Sequence, residues 1–191
     1  MKVRATFDRI GAALDRGMGE EDLGQYEVAG EIFGPSAGAG LYRREMLEEI
    51  GLFDEDFFMY MEDVDLAFRG QLAGWMCLYI PEARVRHFHG GTAGFGSDLS
   101  VLLREQERSL VSGQGLFHKA SRDALPWIVG AKPRRHPLLR PPGQVRTALR
   151  AKVDGLKGIH LMLGKRKKVV RKVSEREICK HIRTWSKIGE P

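Results

Sequence analysis

Residues 34–91 read GPSAGAGLYRREMLEEIGLFDEDFFMYMEDVDLAFRGQLAGWMCLYIPEARVRHFHGG, and the fold is most legible in this stretch. Its small-residue opening predicts tight turns or close backbone approach. Over residues 43–50, Met46, Leu47 and Ile50 fall at helical spacing, with Gly51 where a helix C-terminal cap belongs. An acidic, aromatic-rich connection follows at 54–60. Val64, Phe68 and Leu72 then recur every four residues, predicting a helix over 63–73 that ends at Gly74. Residues 75–80 (WMCLYI) form a short apolar run stopped by Pro81, the pattern of a buried strand. Residues 83–89 alternate, with Ala83, Val85, His87 and His89 on one face, which predicts a second strand. Helix, buried strand and alternating strand together indicate an α/β layer.

Outward from this segment the signals weaken. Residues 1–30 are rich in Gly and charge with little periodicity, and read as loop or peripheral structure. A further helix fits 99–111, with Asp98 or Ser97 as its cap. Five prolines fall within residues 125–143, which marks a linker. Residues 144–164 carry Val145, Leu149, Val153, Leu156 and Leu163 on a loose apolar stripe opposed by Arg146, Arg150 and Lys157. The expected organisation is therefore a peripheral segment (1–30), a globular part (31–131), and a Pro-containing linker with a basic amphipathic helical tail (132–191).

Composition limits the classes of protein this can be. A hydrophobic content of 42% supports a real core and argues against wholesale disorder. There is no apolar run of about 18 residues to span a membrane, and residues 1–22 lack the apolar stretch of a signal peptide. Cys77 and Cys179 stand far apart in dissimilar contexts, so free thiols in a reducing cytoplasm are expected rather than a disulfide framework or zinc site. The net charge of +6 hides a polarity. Residues 1–131 hold 13 Lys/Arg against 21 Asp/Glu, whereas residues 132–176 hold 15 against 2. An acidic globular part is joined to a basic tail.

The chemistry-bearing residues cluster. Asp54, Glu55, Asp56, Glu62, Asp63 and Asp65 put six carboxylates in twelve residues with no Lys or Arg among them. Uncompensated like charges raise one another's pKa and cost stability unless a cation or a proton-handling task uses them. A calcium loop is excluded, because an EF-hand counted from Asp54 would need Gly at Met59 and Glu at Asp65. The plain alternative is a solvated turn at 54–56 and a Glu62-Asp63 helix start favoured by the helix dipole. His87 is a candidate metal ligand, followed closely by a Gly90-Gly91 pair, and His89 shares its face. Gly38 and Gly40 do not complete a dinucleotide fingerprint, since Arg43 stands where the last Gly is needed. Trp75 and the Phe57-Phe58-Tyr60 group read as core packing ahead of a sugar platform.

The run from Gly34 through Gly94 resembles the second half of a family 2 glycosyltransferase with the GT-A fold, closest to its non-processive, rhamnosyltransferase-like branch. The resemblance covers residues 31–96 best. It implies a partial GT-A fold, the acceptor-side half, followed by the basic helical tail. It also implies inverting transfer of a sugar from a nucleotide-sugar donor to a cell-surface polysaccharide or lipid-linked acceptor. By the same resemblance Asp63 is the catalytic base, preceded by Glu62, and His87 completes a divalent metal site for Mg or Mn. Base chemistry suits a carboxylate that takes the acceptor hydroxyl's proton as the nucleotide diphosphate leaves. Asp65, about 100° further round the helix per residue, cannot share a substrate with Asp63 and is assigned to orienting a neighbour or capping the helix.

The family's nucleotide-binding half, with its Asp-x-Asp metal motif, has no counterpart before residue 31, and the Gln-x-x-Arg-Trp signature of processive synthases is absent. The chain is thus expected to be a fragment of a sugar transferase, or one whose other half lies on another chain. The alternative is a non-catalytic remnant or membrane-associated binding module. The tail, with Lys165-Arg166-Lys167-Lys168 and Arg171-Lys172, suits the anionic inner face of a plasma membrane. Nucleic acid ranks last as a partner, because residues 132–176 contain no Phe, Tyr or Trp.

Overall fold

The computed structural model describes residues 5–7, 13–15, 20–86, 97–99, 102–103 and 144–178. The chain divides into two compact units. One comprises Met1–Asp56, Glu62–His87 and Val169–Pro191, and the other Phe57–Met61 and Phe88–Lys168.

The first unit is built around one helix. In chain order it contains β1 (Ala5–Phe7), β2 (Ala13–Asp15), β3 (Gly30–Ile32), a single 3-10 turn (Ala37–Ala39), α1 (Arg44–Ile50), α2 (Glu62–Leu72) and β4 (Cys77–Tyr79). Both expected helices are present within a residue of their predicted bounds. Gly51 and Gly74 close them with φ of 85° and 86°, the left-handed backbone that glycine adopts without a Cβ clash. At the end of α2, Gly74 N–H donates to Gln71 O (3.0 Å) and Trp75 N–H to Gly70 O (2.9 Å). That pair of bonds is a Schellman closure.

The predicted apolar stripe Val64, Phe68 and Leu72 is buried, and Leu66 joins it. Phe68 meets Phe33 edge-to-face, with ring centroids 4.6 Å apart and planes at 67°, a favoured aromatic geometry. Gln71, also buried, donates from Nε2 to Phe33 O at 3.0 Å, so α2 grips the chain leaving β3 by both packing and a buried hydrogen bond. The close approach expected of the small residues occurs at Gly34. A Cβ there would lie 2.3 Å from Ala67 Cβ.

β3 and β4 pair antiparallel, with Gly30 opposite Tyr79, Glu31 opposite Leu78 and Ile32 opposite Cys77. The expected fully buried strand at 75–80 is corrected here. Met76, Leu78 and Ile80 are exposed at 73%, 66% and 55%, so β4 buries one face only. An uninterrupted apolar run does not reveal which of its faces is covered. The second expected strand is also corrected for its described part, since residues 83–86 are exposed and lie in no strand. Ala83 N–H donates to Ile80 O (3.1 Å) and Arg84 N–H to Glu82 O (2.9 Å), so the backbone turns on itself directly after Pro81, which has no N–H to continue a ladder. Residues 87–89 lie outside the described ones. β1 and β2 form a hairpin, Ala5 opposite Asp15, inside a segment read from sequence as loop or periphery; three-residue strands are too short for alternation to register.

The tail is divided rather than continuous. α3 (Gln144–Arg166) belongs to the second unit, while the chain from Val169 belongs to the first. There Lys172 and Val173 N–H both donate to Leu72 O, at 2.8 and 3.1 Å, supplying partners for a carbonyl at the open end of α2. Lys172 Nζ also meets Glu49 Oε1 at 2.6 Å. α4 (Glu175–Ile178) follows, with Glu177 N–H donating to Ser174 Oγ (3.3 Å) and Ile178 buried. Apolar Val173 and Ile178 interrupt the basic run and have a core to enter; composition averaged over 132–191 concealed that. Of the helix expected over 99–111, residues 98–99 and 102–103 are helical and the others lie outside the described residues, as do the linker at 125–143 and Cys179.

Gly34→Ala should lower stability by about 1–3 kcal/mol, the usual cost of forcing a methyl into a filled contact, read as a shift in urea midpoint with unchanged slope. A midpoint equal to wild type would mean that β3 and α2 are not in this contact.

Candidate active site

Glu62 and Asp63 open α2, where the helix's unpaired N–H groups and positive dipole end favour carboxylates. Asp63 Oδ2 accepts from Ala37 N–H at 3.0 Å and Oδ1 from Val64 N–H at 2.8 Å. The 3-10 turn after Gly34 is thereby tied to the start of α2 across 26 residues of sequence. The backbone N–H of Asp63 itself makes a third such bond, which leaves one of about four acceptor positions for an incoming hydroxyl. Burial raises the Asp63 pKa, against the lowering effect of the backbone N–H bonds from Ala37, Val64 and its own residue. Glu62 is raised too, first by burial and further by the Asp63 charge, and its Oε2 is buried with no hydrogen-bond partner among the described residues.

Tyr42, which the sequence reading passed over, faces the same carboxylates. Burial, then the charges of Asp63, Cys77 and Glu62, push its hydroxyl up to about 12, so it remains a proton donor throughout the neutral range. Its ring stands edge-on to Phe53, centroids 5.8 Å apart at 89°, and its buried hydroxyl has no hydrogen-bond partner among the described residues. A Cβ at Gly40 would lie 2.9 Å from that hydroxyl. Cys77, the free thiol expected from sequence, is half-buried on β4 and pushed up to about 11 by burial and then by Glu31, which keeps it protonated and unreactive near neutral pH. Nothing in the local pattern of residues 40–42 flags a tyrosine as functional; its proximity to Asp63 is purely tertiary.

Asp65 faces the other way. It is fully buried, and Arg69 meets its Oδ2 from Nε (2.8 Å) and from the second guanidinium nitrogen (2.7 Å). Arg69 then donates to the carbonyls of Ile50 (2.7 Å), Gly51 (3.2 Å) and Leu52 (2.8 Å). Asp65 therefore orients a neighbour, one of the two roles open to it, and that neighbour fastens the end of α1. Trp75 is half-buried and its indole N–H donates to Glu49 Oε2 at 3.0 Å. Of the remaining aromatics Phe57 is buried and Phe58 exposed.

His87 and His89 lie outside the described residues. Among the described residues no group of three or more His, Cys, Asp or Glu is placed to hold a metal ion. Asp63, moreover, already receives a backbone N–H on each oxygen.

A stretch of 54 residues is 48% identical to N-acetylglucosaminyl-diphospho-decaprenol L-rhamnosyltransferase of Mycobacterium tuberculosis, in strain CDC 1551 / Oshkosh and equally in strain ATCC 25618 / H37Rv. The match takes in 28% of this chain and 18% of the relative, so the chain spans less than a fifth of the curated proteins it resembles. No family model matches, and no solved structure does. The local likeness is to a glycosyltransferase.

Removing one partner of the buried pair should be costly. Asp65→Ala leaves Arg69 uncompensated and is expected to lose about 3–5 kcal/mol by urea unfolding, and a loss under 1 kcal/mol would refute the clamp. Tyr42→Phe is expected to move in the opposite direction. It deletes a buried hydroxyl that has no partner, so stability should hold or rise by about 1 kcal/mol.

Proposed function

We propose that this chain bears the acceptor-side, base-carrying part of a sugar transferase of the rhamnosyltransferase kind, with Asp63 as the base. One observation carries the reading: a carboxylate with a raised pKa, steered by Ala37 N–H at the start of α2, in a chain locally 48% identical to a rhamnosyltransferase. Burial raises the Asp63 pKa, which makes it a better proton acceptor than an exposed aspartate. In the step proposed, the acceptor hydroxyl gives its proton to Asp63 as its oxygen bonds to the anomeric carbon of the donor. The bond from that carbon to the diphosphate breaks, and the nucleotide diphosphate leaves with the electron pair. Inversion follows from attack opposite the leaving group. Tyr42 supplies a hydroxyl donor beside the base, and Glu62 adds negative charge that favours proton uptake.

The acceptor proposed is a lipid-linked saccharide, the relative's name specifying N-acetylglucosaminyl-diphospho-decaprenol. The donor proposed is a nucleotide-activated rhamnose. Its diphosphate and the accompanying Mg or Mn, with His87 as a ligand, belong in this reading to a donor side outside the described residues.

The test has two readouts. Titrating N-acetylglucosaminyl-diphospho-decaprenol in detergent into labelled chain should perturb the backbone amides of Ala37 and Val64, and no perturbation at saturating acceptor would sink the reading. With donor present, transfer should be lost in Asp63→Asn while the amide shifts persist; turnover retained by the variant removes Asp63 as base, and binding with no turnover even in wild type supports the binding-module alternative.

Asp63→Asn should also carry a pH signature. The folded-state pKa lies above the reference value of 3.8, so the ionised carboxylate destabilises the fold at all pH values above the folded pKa. That penalty fades as pH falls through the folded pKa and is gone below 3.8. The substitution leaves one of the Ala37 and Val64 N–H groups without an acceptor, so the variant should be less stable overall, with a smaller deficit at pH 7 than in acid. A variant less stable at pH 7 than at pH 4, relative to wild type, would contradict the desolvated carboxylate.

A further inference from the structure

α3 presents an outer surface unlike that of a solvated helix. Arg146, Arg150, Val153, Lys157 and Leu161 are all exposed, at successive spacings of four, three, four and four, which puts them on one line along the helix. On that line Val153 and Leu161 stay 52% and 47% exposed, while Ala151, Gly155 and Met162 are buried. The sequence from 144 to 172 carries ten Lys or Arg and a single acid, Asp154. That acid already lies 3.8 Å from Arg150 and 2.9 Å from Lys157. The helix closes on Gly164 and Lys165 carbonyls, which accept from Lys167 and Lys168 N–H at 3.3 and 2.9 Å, and Lys167 and Lys168 are exposed.

We propose that this line of α3, with the Lys165–Lys168 run, lies flat on an anionic phospholipid surface. At about 1.5 Å per residue the helix offers roughly 35 Å of contact, and no described helix is long and apolar enough to cross the bilayer instead. Aliphatic side chains interspersed with cations on one exposed line match an interface in which apolar groups enter the acyl boundary and Lys and Arg stems reach up to headgroup phosphates. A phosphate backbone would reward the cations and leave the half-exposed Val153 and Leu161 unexplained. Residues 144–172 also contain no Phe, Tyr or Trp to stack on bases. The inference stands apart from sugar transfer: a chain with no transferase activity would still partition.

The full chain is mixed with unilamellar vesicles of phosphatidylcholine, with or without phosphatidylglycerol, and sedimented. It should bind the anionic vesicles and release in high salt, with little binding to pure phosphatidylcholine. The combined variant R146E, K157E, K167E and K168E should bind at least several hundredfold more weakly, as roughly 1 kcal/mol for each of four cations implies. The combined variant V153S and L161S should lose the fraction that resists salt. Far-UV circular dichroism checks that each keeps its helix content, and single substitutions at Lys157 and Leu161 repeat the comparison if one does not. Wild-type binding by the glutamate variant, equal binding to neutral and anionic vesicles, or tighter binding to a single-stranded oligonucleotide than to anionic vesicles would each overturn the proposal.

Discussion

The ion pair between Asp65 and Arg69 sits inside the first unit, fully shielded at the carboxylate, and the guanidinium that neutralises it also holds the carbonyls of Ile50, Gly51 and Leu52. A buried carboxylate tolerates few rotations of its helix, because turning it away from Arg69 would strand a charge in a low-dielectric core. That requirement fixes the roll of α2 about its own axis. Phe68 then meets Phe33, Gln71 reaches Phe33 O, and Ala67 meets Gly34. The same roll presents Asp63, two residues before Asp65, to the 3-10 turn at Ala37. A bond made for packing thus determines which way the candidate base points.

How much of this the sequence disclosed depended on the range of the interactions. α1 and α2 were legible because their signals are local: apolar residues at helical spacing, acids in the first turn of α2, and glycines at Gly51 and Gly74. β4 was legible as a strand but not in its burial, since a run without alternation does not say which face is covered, and Met76, Leu78 and Ile80 proved to be exposed. The strand expected over 83–89 failed over 83–86, where Pro81 and the turn at Ile80–Ala83 redirect the backbone. The return of Lys172 and Val173 to Leu72 O joins residues 100 apart and leaves no trace in periodicity or charge. For the site, Glu62 and Asp63 were found through their uncompensated charge. Tyr42 was missed because what singles it out, burial beside those charges, exists only once the chain is folded.

The two ends of α2 are finished to different standards. At the C-terminal end every feature satisfies a backbone need: the Schellman bonds to Gln71 and Gly70, two donors on Leu72 O, glycine at the left-handed position, and Lys172 drawing the Glu49 carboxyl below the usual range with help from Trp75. The N-terminal end is less well satisfied. Glu62 and Asp63 are both desolvated enough to raise their pKa, Glu62 Oε2 is buried with no partner among the described residues, and so is the Tyr42 hydroxyl.

Three unfavourable features at one end of a helix, two in its first turn and the Tyr42 hydroxyl facing them, are not what selection for stability alone would leave. Two have a low-cost remedy: glutamine at 62 and phenylalanine at 42. Each remedy would also remove something that a ligand can use. The desolvated carboxylates hold proton-accepting capacity, and the Tyr42 hydroxyl keeps an unspent donor next to them. Cost concentrated where chemistry-bearing groups converge, and absent elsewhere on the same element, is the physical pattern of a working site. It places the weight of the functional assignment on the first turn of α2.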